Sequence, residues 1–217
     1  QKAQEMYASA LELDPEFVPA HMALGRIYNL EKKPEEALNE YEAALKADPK
    51  HAPAIIAKVS ILLQQKRVDE AITFTQSVLK NDPRNARVIS LLASLYWLSK
   101  EPRKAEEQFQ RALKVDEGFA PARFNLARLA VADRREGEAI AHLQRILKDH
   151  PGQVPAALLL AGLHTRQARY DQAIWVLETA IQAGPPIPDL TLQLADLYLK
   201  KGRYDDALAK LAPLLAG

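Results

Sequence analysis

The sequence predicts an all-α protein assembled from a repeated pair of helices. Alanine recurs every 34 positions from Ala3 to Ala207. An aliphatic side chain does the same from Ile27 to Leu197, and no insertion breaks either series. Between these positions, apolar residues are spaced by three and four, which is helical periodicity and not strand alternation. A period of this length indicates stacked helix pairs, because one such pair cannot bury its apolar face alone.

Residues 18–51 illustrate the two helices of one repeat. Pro19 fits the first turn of the first helix, where a missing N–H costs nothing. Pro34 follows a charged break and starts the second helix. Glu35 and Glu36 then fall in its first turn, where carboxylates stabilise the positive end of the helix dipole. The segment therefore predicts a helix–turn–helix unit that ends at the next proline.

This segment resembles the tetratricopeptide (TPR) repeat, whose pattern is L-G-x2-Y…A-x3-F…P. The residues that carry the resemblance are Leu24, Gly25, Tyr28, Ala37, Tyr41, Ala44 and Pro49. The resemblance extends over the whole chain and implies a right-handed α-solenoid of antiparallel helix pairs, with about thirteen helices. We expect the glycine and the alanines where two helix backbones approach closely, and the tyrosines in the larger gaps.

The 34-residue register predicts a single TPR array over residues 1–217. Residues 1–17 correspond to the second helix of a repeat whose first helix is missing. The predicted repeats are 18–51, 52–85, 86–119, 120–153, 154–187 and 188–217. Because both ends lack a polar capping helix, the sequence is expected to be a fragment of a longer protein.

Repeat 52–85 departs most from the family pattern. Lys58 replaces the expected leucine, Val59 the small residue and Thr75 the aromatic residue. For Lys58 we expect the aliphatic stem to pack while the ammonium group reaches water.

Composition narrows the classes of function. The formal net charge of +1 gives no reason to expect bulk attraction to nucleic acid. No apolar run approaches the ~18 residues of a membrane span, so no direct membrane insertion of this segment is expected. The absence of cysteine excludes a disulfide framework and a cysteine nucleophile. It leaves both the cytoplasm and the periplasm open.

No catalytic or metal-binding pattern is present. No two of the five histidines are spaced i, i+4, and neither a phosphate-binding loop nor a nucleophile elbow occurs. His164 stands where sister repeats have tyrosine, so we expect it to pack and not to bind a ligand. We therefore predict a protein that is not an enzyme and holds no cofactor.

The resemblance to TPR proteins implies that the first helix of each pair lines a concave groove. The inward positions are the second, fifth, ninth, twelfth and thirteenth of each repeat. The expected partner-binding residues at these positions are Met22, Arg26, Asn29, Ile56, Leu63, Arg87, Trp97, Phe124, Arg128 and Arg166.

The aromatic residues Trp97 and Phe124 are expected to be anchors, since the core positions are already filled. For Trp97, packing against a neighbouring helix is an equal alternative. The arginines make the groove more basic than the chain as a whole. The expected ligand is therefore a protein or peptide with apolar anchors and acidic residues between them.

These observations favour a non-catalytic protein–protein interaction scaffold that binds a peptide or partner helix in its groove. The alternative is a structural spacer of a larger protein that self-associates through its uncapped ends. In style the sequence resembles bacterial TPR proteins of cell-envelope and exopolysaccharide-export systems.

Overall fold

A computed structural model describes residues 2–215, and all regular secondary structure in that range is helical. Gln1, Ala216 and Gly217, which belong to the predicted array, lie outside the described residues. The helices in that range are α1 (Lys2–Leu13), α2 (Val18–Leu30), α3 (Pro34–Ala47), α4 (Ala52–Gln64), α5 (Val68–Asn81), α6 (Ala86–Leu98), α7 (Pro102–Val115), α8 (Ala120–Ala132), α9 (Glu136–Asp149), α10 (Val154–Arg166), α11 (Tyr170–Ala183), α12 (Pro188–Lys200) and α13 (Tyr204–Leu215). The predicted all-α class is confirmed.

Helices α1 to α7 form one compact unit and helices α8 to α13 form a second, with the boundary between residues 117 and 118. Within each unit, every helix packs against its neighbours in sequence. Short connections make consecutive helices antiparallel. The even-numbered helices are the first helices of the repeats, and the odd-numbered helices are the second ones. That both units belong to a single array stays a prediction.

A left-handed residue closes each first helix. The residues with positive φ recur every 34 positions, and all but the last carry a side chain: Lys32, Lys66, Lys100, Arg134, Ala168 and Gly202. In the first of these turns, the amide of Lys33 donates to the carbonyl of Tyr28 at 2.9 Å, and Lys32 donates to Asn29 at 3.1 Å. This pair of bonds is a Schellman motif, which satisfies carbonyls that the helix end leaves unpaired. The turn is therefore set by the backbone and tolerates lysine, arginine or alanine.

The core of the first unit follows the predicted pattern of small and aromatic residues. Ala37 and Ala44 are fully buried, and Tyr41 is almost fully buried. A Cβ built on Gly25 would lie only 2.5 Å from Cε1 of Tyr41. Because this is closer than carbon atoms pack, only glycine fits against that ring. The expectation of a close approach at these positions is confirmed.

The second unit has its own core, in which leucine replaces the aromatic residue. Leu143 and Leu177 are fully buried at the positions that correspond to Tyr41, and Ala139 and Ala173 are fully buried beside them. From Ala37 to Ala207 the alanine series is buried in both units, whereas Ala3 on α1 is exposed. Burial of these apolar side chains is the main stabilising term of each helix stack.

Polar contacts also join successive repeats. Side chains at the turn of one repeat reach the first turn of the preceding second helix. Gln65 donates to Glu35 at 2.7 Å, and Gln167 donates to Glu136 at 2.6 Å. These contacts link neighbouring helix pairs near their turns. Within residues 2–215, no helix is both long enough and apolar enough to cross a lipid bilayer.

Candidate functional site

The expected groove residues on α2 differ in exposure. Arg26 is exposed and Asn29 is half-buried. Met22 is only 8% exposed and belongs to the core of the first unit. The expectation that Met22 meets a partner is therefore corrected, because its flexible side chain fills a gap in the core.

Helix α4 presents two aliphatic residues on one face. Ile56 is 42% exposed, although the adjacent Ile55 is fully buried. Leu63, seven residues after Ile56, is half-buried and packs against the core at its edge. Residues seven apart share a helix face, so this face of α4 offers apolar surface while the opposite face holds the core.

Helix α6 places a charged and an aromatic residue at the expected positions. Arg87 is exposed near its beginning, and Trp97 is half-buried near its end. Both residues belong to the first unit, as do Arg26 and Ile56. Whether Trp97 is an anchor or a packing residue stays open.

The remaining expected residues lie in the second unit. Phe124 is half-buried and packs against that unit's core, and its role as an anchor for a partner stays a prediction. Arg128 is exposed. Arg166 is exposed as well, but Nη2 lies 2.6 Å from Oε1 of Glu136 on α9. The guanidinium group of Arg166 therefore already forms an ion pair that links two repeats.

Two exposed residues on α12 were outside the expected set. Leu192 is 51% exposed and Leu199 is 48% exposed. They occupy the fifth and twelfth positions of the last repeat, as Ile56 and Leu63 do on α4. Their positions in the 34-residue repeat would have been enough to predict them as candidate partner-binding residues.

Lys58 behaves differently from the expectation for it. Its Nζ lies 2.7 Å from Oε1 of Glu42 and 4.4 Å from the ring centroid of Phe74. The ammonium group is therefore held by a carboxylate and an aromatic face, and does not simply extend into water. The substitution of the family's leucine is accommodated by a carboxylate on α3 and an aromatic ring on α5.

His164 is buried on α10, in line with a packing role. Its Nδ1 makes no hydrogen bond within the described part of the chain. Burial, and then the positive charge of Arg169, lowers the pKa of His164 below its ordinary value of 6.5. The neutral ring is thus the form that this interior favours.

The tyrosine that occupies the position of His164 in the last repeat, on α12, does have a hydrogen-bond partner. Tyr198 donates its hydroxyl hydrogen to Glu178 on α11. Burial, together with this carboxylate, raises the pKa of Tyr198 to about 12. Among the described residues, no group of three or more His, Asp or Glu side chains is placed to hold a metal ion.

Comparison with known structures supports the fold. A structure from the functional characterisation of Pseudomonas aeruginosa PilF matches 92% of this chain and 92% of its own, with 21% identity and a TM-score of 0.67. Yeast Tom70 matches 97% of this chain over 46% of its own, with 17% identity and a TM-score of 0.78. YrrB, described as a TPR protein with an unusual peptide-binding site, matches 88% of this chain and 97% of its own, with 20% identity and a TM-score of 0.54. At these identities the likeness establishes the fold alone.

Sequence profiles establish the family. Two profiles, both described as Tetratricopeptide repeat, match the chain. One covers residues 1–52, and the other covers residues 29–95, 96–163, 130–186 and 167–216. No curated protein matches the chain. The matches to the family cover nearly the whole sequence, and the chain belongs to the tetratricopeptide-repeat family.

Proposed function

We propose that this chain is a non-catalytic scaffold that binds a peptide or a partner helix in a groove lined by the solvent-exposed faces of its first helices. The observation that carries the proposal is the solvent exposure of aliphatic residues at equivalent repeat positions. Ile56 on α4 and Leu192 on α12 are exposed at the fifth position, and Leu199 is exposed while Leu63 is half-buried at the twelfth. Exposed apolar side chains that recur at equivalent positions favour a recognition surface over chance.

Charge favours an acidic partner for the same faces. Arg26 and Arg87 are exposed on α2 and α6, and Arg128 is exposed on α8. Arginine can contact a carboxylate through two parallel N–H groups, which adds geometry to charge. Exposed pairs of this kind contribute little affinity, so the apolar anchors are expected to dominate binding while the arginines set preference and association rate.

The family supports this interpretation at a coarser level. TPR repeats serve broadly as protein-interaction modules, and YrrB, one of the structural relatives, has a peptide-binding site. A peptide or protein ligand is therefore the first class to test for this chain.

The test starts from a pull-down with the chain as bait, followed by titration of a captured partner. Ile56→Ser is expected to weaken binding by more than about 1 kcal/mol and to leave the melting temperature nearly unchanged, since the side chain is partly exposed. Leu208→Ser on α13 is the matched control, because it also removes an exposed leucine but from a second helix. Equal binding by parent and Ile56→Ser would overturn the proposal.

The arginines are tested separately with Arg87→Glu. This change is expected to slow association and to reduce its dependence on salt. Glu107→Arg on α7 is the control, since it changes an exposed charge on a second helix. If Glu107→Arg abolished binding while Arg87→Glu did not, the second helices would form the functional surface.

A second candidate function is self-association. Helix α1 has no buried residue and exposes Met6 and Leu13, while α13 exposes Tyr204 and Leu208. Sedimentation velocity over a range of concentrations tests this directly. Oligomers that disappear in the Leu208→Ser variant would favour this candidate over peptide binding.

A further inference from the structure

A tryptophan on α11 stands at a position that faces solvent in every other repeat. Trp175 is 66% exposed. The residues at multiples of 34 from it are exposed too and are small or polar: Glu5, Asn39, Thr73, Glu107, Ala141 and Ala209. The core does not use this position, so the tryptophan ring is not there for packing. A large exposed aromatic side chain of this kind is a frequent anchor of protein recognition.

Trp175 forms one wall of an apolar cleft between α9 and α11. The cleft encloses about 350 Å³. Its lining residues are Gln144, Leu147, Lys148, Pro151, Leu160, Trp175, Val176 and Thr179. All of them lie in the second unit. A volume of this size lies at the low end of ligand pockets, which suits one large apolar side chain.

Two clefts of the first unit lie at equivalent positions of the 34-residue repeat, and both are lined by carboxylates. Between α3 and α5, the corresponding cleft is lined by Glu42, Lys58, Arg67, Asp69 and Glu70 among others. In it, Lys58 pairs with Glu42 and Arg67 pairs with Glu70. Between α1 and α3, it is lined by three glutamates, Glu5, Glu12 and Glu40, beside apolar residues. The α9–α11 cleft differs from both because no carboxylate within residues 2–215 lines it and because it carries the exposed indole.

The charge at the cleft has one sign. Lys148 is the charged residue of the lining, which contains no carboxylate among the described residues. Lysine also stands at this last-turn position in α3, α5 and α7, where it complements the helix dipole. In α9 the ammonium group of Lys148 also borders the apolar cleft. If a ligand inserts an apolar side chain into this cleft, a carboxylate next to that side chain would contact Lys148.

We propose that the α9–α11 cleft is a second docking site, separate from the faces of the first helices. Its occupant is an acidic segment of a partner protein that inserts one leucine or aromatic side chain beside Trp175 and places a carboxylate next to Lys148. The indole contributes rigid apolar contact area at low cost in conformational entropy. The lysine selects the charge of the segment.

Binding can be observed directly at the indole. The chain contains two tryptophans, so Trp97→Phe leaves Trp175 as the sole tryptophan. The probe is a synthetic peptide with one leucine flanked on each side by two glutamates. We expect a saturable blue shift of the emission, because the exposed indole becomes covered. A peptide with alanine in place of leucine, and one with lysine in place of glutamate, are expected to bind at least about tenfold more weakly.

Variants then locate the site by anisotropy of the labelled probe. Trp175→Ala is expected to weaken binding at least about tenfold with little change in melting temperature, since the side chain is exposed. Lys148→Glu is expected to reverse the preference between the acidic and the basic peptide. Phe17→Ala, which removes an exposed aromatic ring from the turn before α2 and from neither proposed binding surface, is the matched control and is expected to bind like the parent.

Four outcomes would each overturn the proposal. They are the absence of saturable binding by the acidic peptide, equal binding by Trp175→Ala, equal binding of acidic and basic peptides, and loss of binding in Phe17→Ala. Sedimentation velocity adds a fifth. If the parent dimerises and Trp175→Ala does not, the occupant of the cleft is a second copy and not an acidic partner.

Discussion

The hydroxyl group of Tyr96 accepts a 2.9 Å hydrogen bond from Nε2 of Gln76, twenty residues earlier in the chain. Tyr198 stands in the same relation to Glu178, to which it donates. In both cases a tyrosine on a first helix contacts the second helix of the preceding repeat. His164 occupies this position on α10, and its Nδ1 is left without a partner in the described structure.

We predict that His164→Tyr stabilises the protein. The introduced hydroxyl would reach toward Gln144, twenty residues earlier, and would replace a buried unpaired nitrogen by a hydrogen bond. The expected gain in free energy of unfolding is about 1 kcal/mol, measured by urea denaturation. His164→Phe is the control, since it supplies a similar ring without the hydroxyl. A gain equal in both variants would attribute the effect to packing, and a loss in both would contradict the prediction.

Stability should also depend on pH through His164. Its pKa is lowered in the folded state by burial and by Arg169, so the unfolded chain takes up the proton first as pH falls. The free energy of unfolding is therefore expected to be highest above the ordinary value of 6.5 and to decline as pH falls from there toward the lower folded pKa. Urea denaturation of the parent and of His164→Phe at several pH values measures this. The part of the slope due to His164 should vanish in the variant, and an unchanged slope would contradict the assignment.

The left-handed turn residues offer a second route to stability. Ala168 adopts φ of 56°, where a Cβ is disfavoured. Ala168→Gly is expected to stabilise the protein by up to about 1 kcal/mol, because relief of strain exceeds the added entropy of the unfolded chain. Gly202→Ala, at φ of 72°, is the reciprocal change and should destabilise it. Thermal unfolding of both variants tests the pair, and shifts of the same sign would contradict the prediction.

The buried alanine series predicts sensitivity to size. Ala105 on α7 is fully buried. Ala105→Leu is expected to cost about 1–3 kcal/mol, because the crossing of α6 and α7 leaves no room for a larger side chain. Ala141→Leu on α9 is the control, since Ala141 is exposed. An unchanged melting temperature in Ala105→Leu would count against the register.

Local stability should vary between repeats of the first unit. In repeat 52–85, Thr75 is fully buried at the position that Tyr41 and Phe109 fill in its neighbours, and its hydroxyl group donates to the carbonyl of Ala71 at 2.7 Å. A smaller side chain supplies less apolar burial, and the stability of a solenoid is approximately a sum over repeats and interfaces. Amide hydrogen exchange is therefore expected to be faster in repeat 52–85 than in repeat 86–119. Equal protection would refute this.

Much of the fold could be predicted from the sequence because each repeat is a local structure. The spacing of Ala37 and its equivalents predicted the buried crossings, and prolines such as Pro34 predicted where second helices begin. The positive φ of Lys32 and its equivalents was missed. Lysine has no general preference for that conformation, and the signal lay only in its regular recurrence after the first helix.

The candidate site was less predictable. The position of Met22 in its repeat indicated a groove residue, but its burial depends on which side chains surround it in the folded chain. Arg166 was correctly placed outside the core, yet its pairing with Glu136 depends on contact between residues thirty apart. Trp175 could have been found by comparing equivalent positions, since its counterparts are small or polar.

The sequence by itself determined the helices, their pairing and the small residues at the helix crossings, because a 34-residue period sets both helical faces and short turns through local interactions. Only the tertiary structure decided which candidate residues remain exposed and which clefts between second helices are apolar. Exposure and pairing depend on the side chains that neighbouring repeats bring together. At the α9–α11 cleft, Leu160 and Val176 come together with Trp175 and Lys148 only when three helices pack.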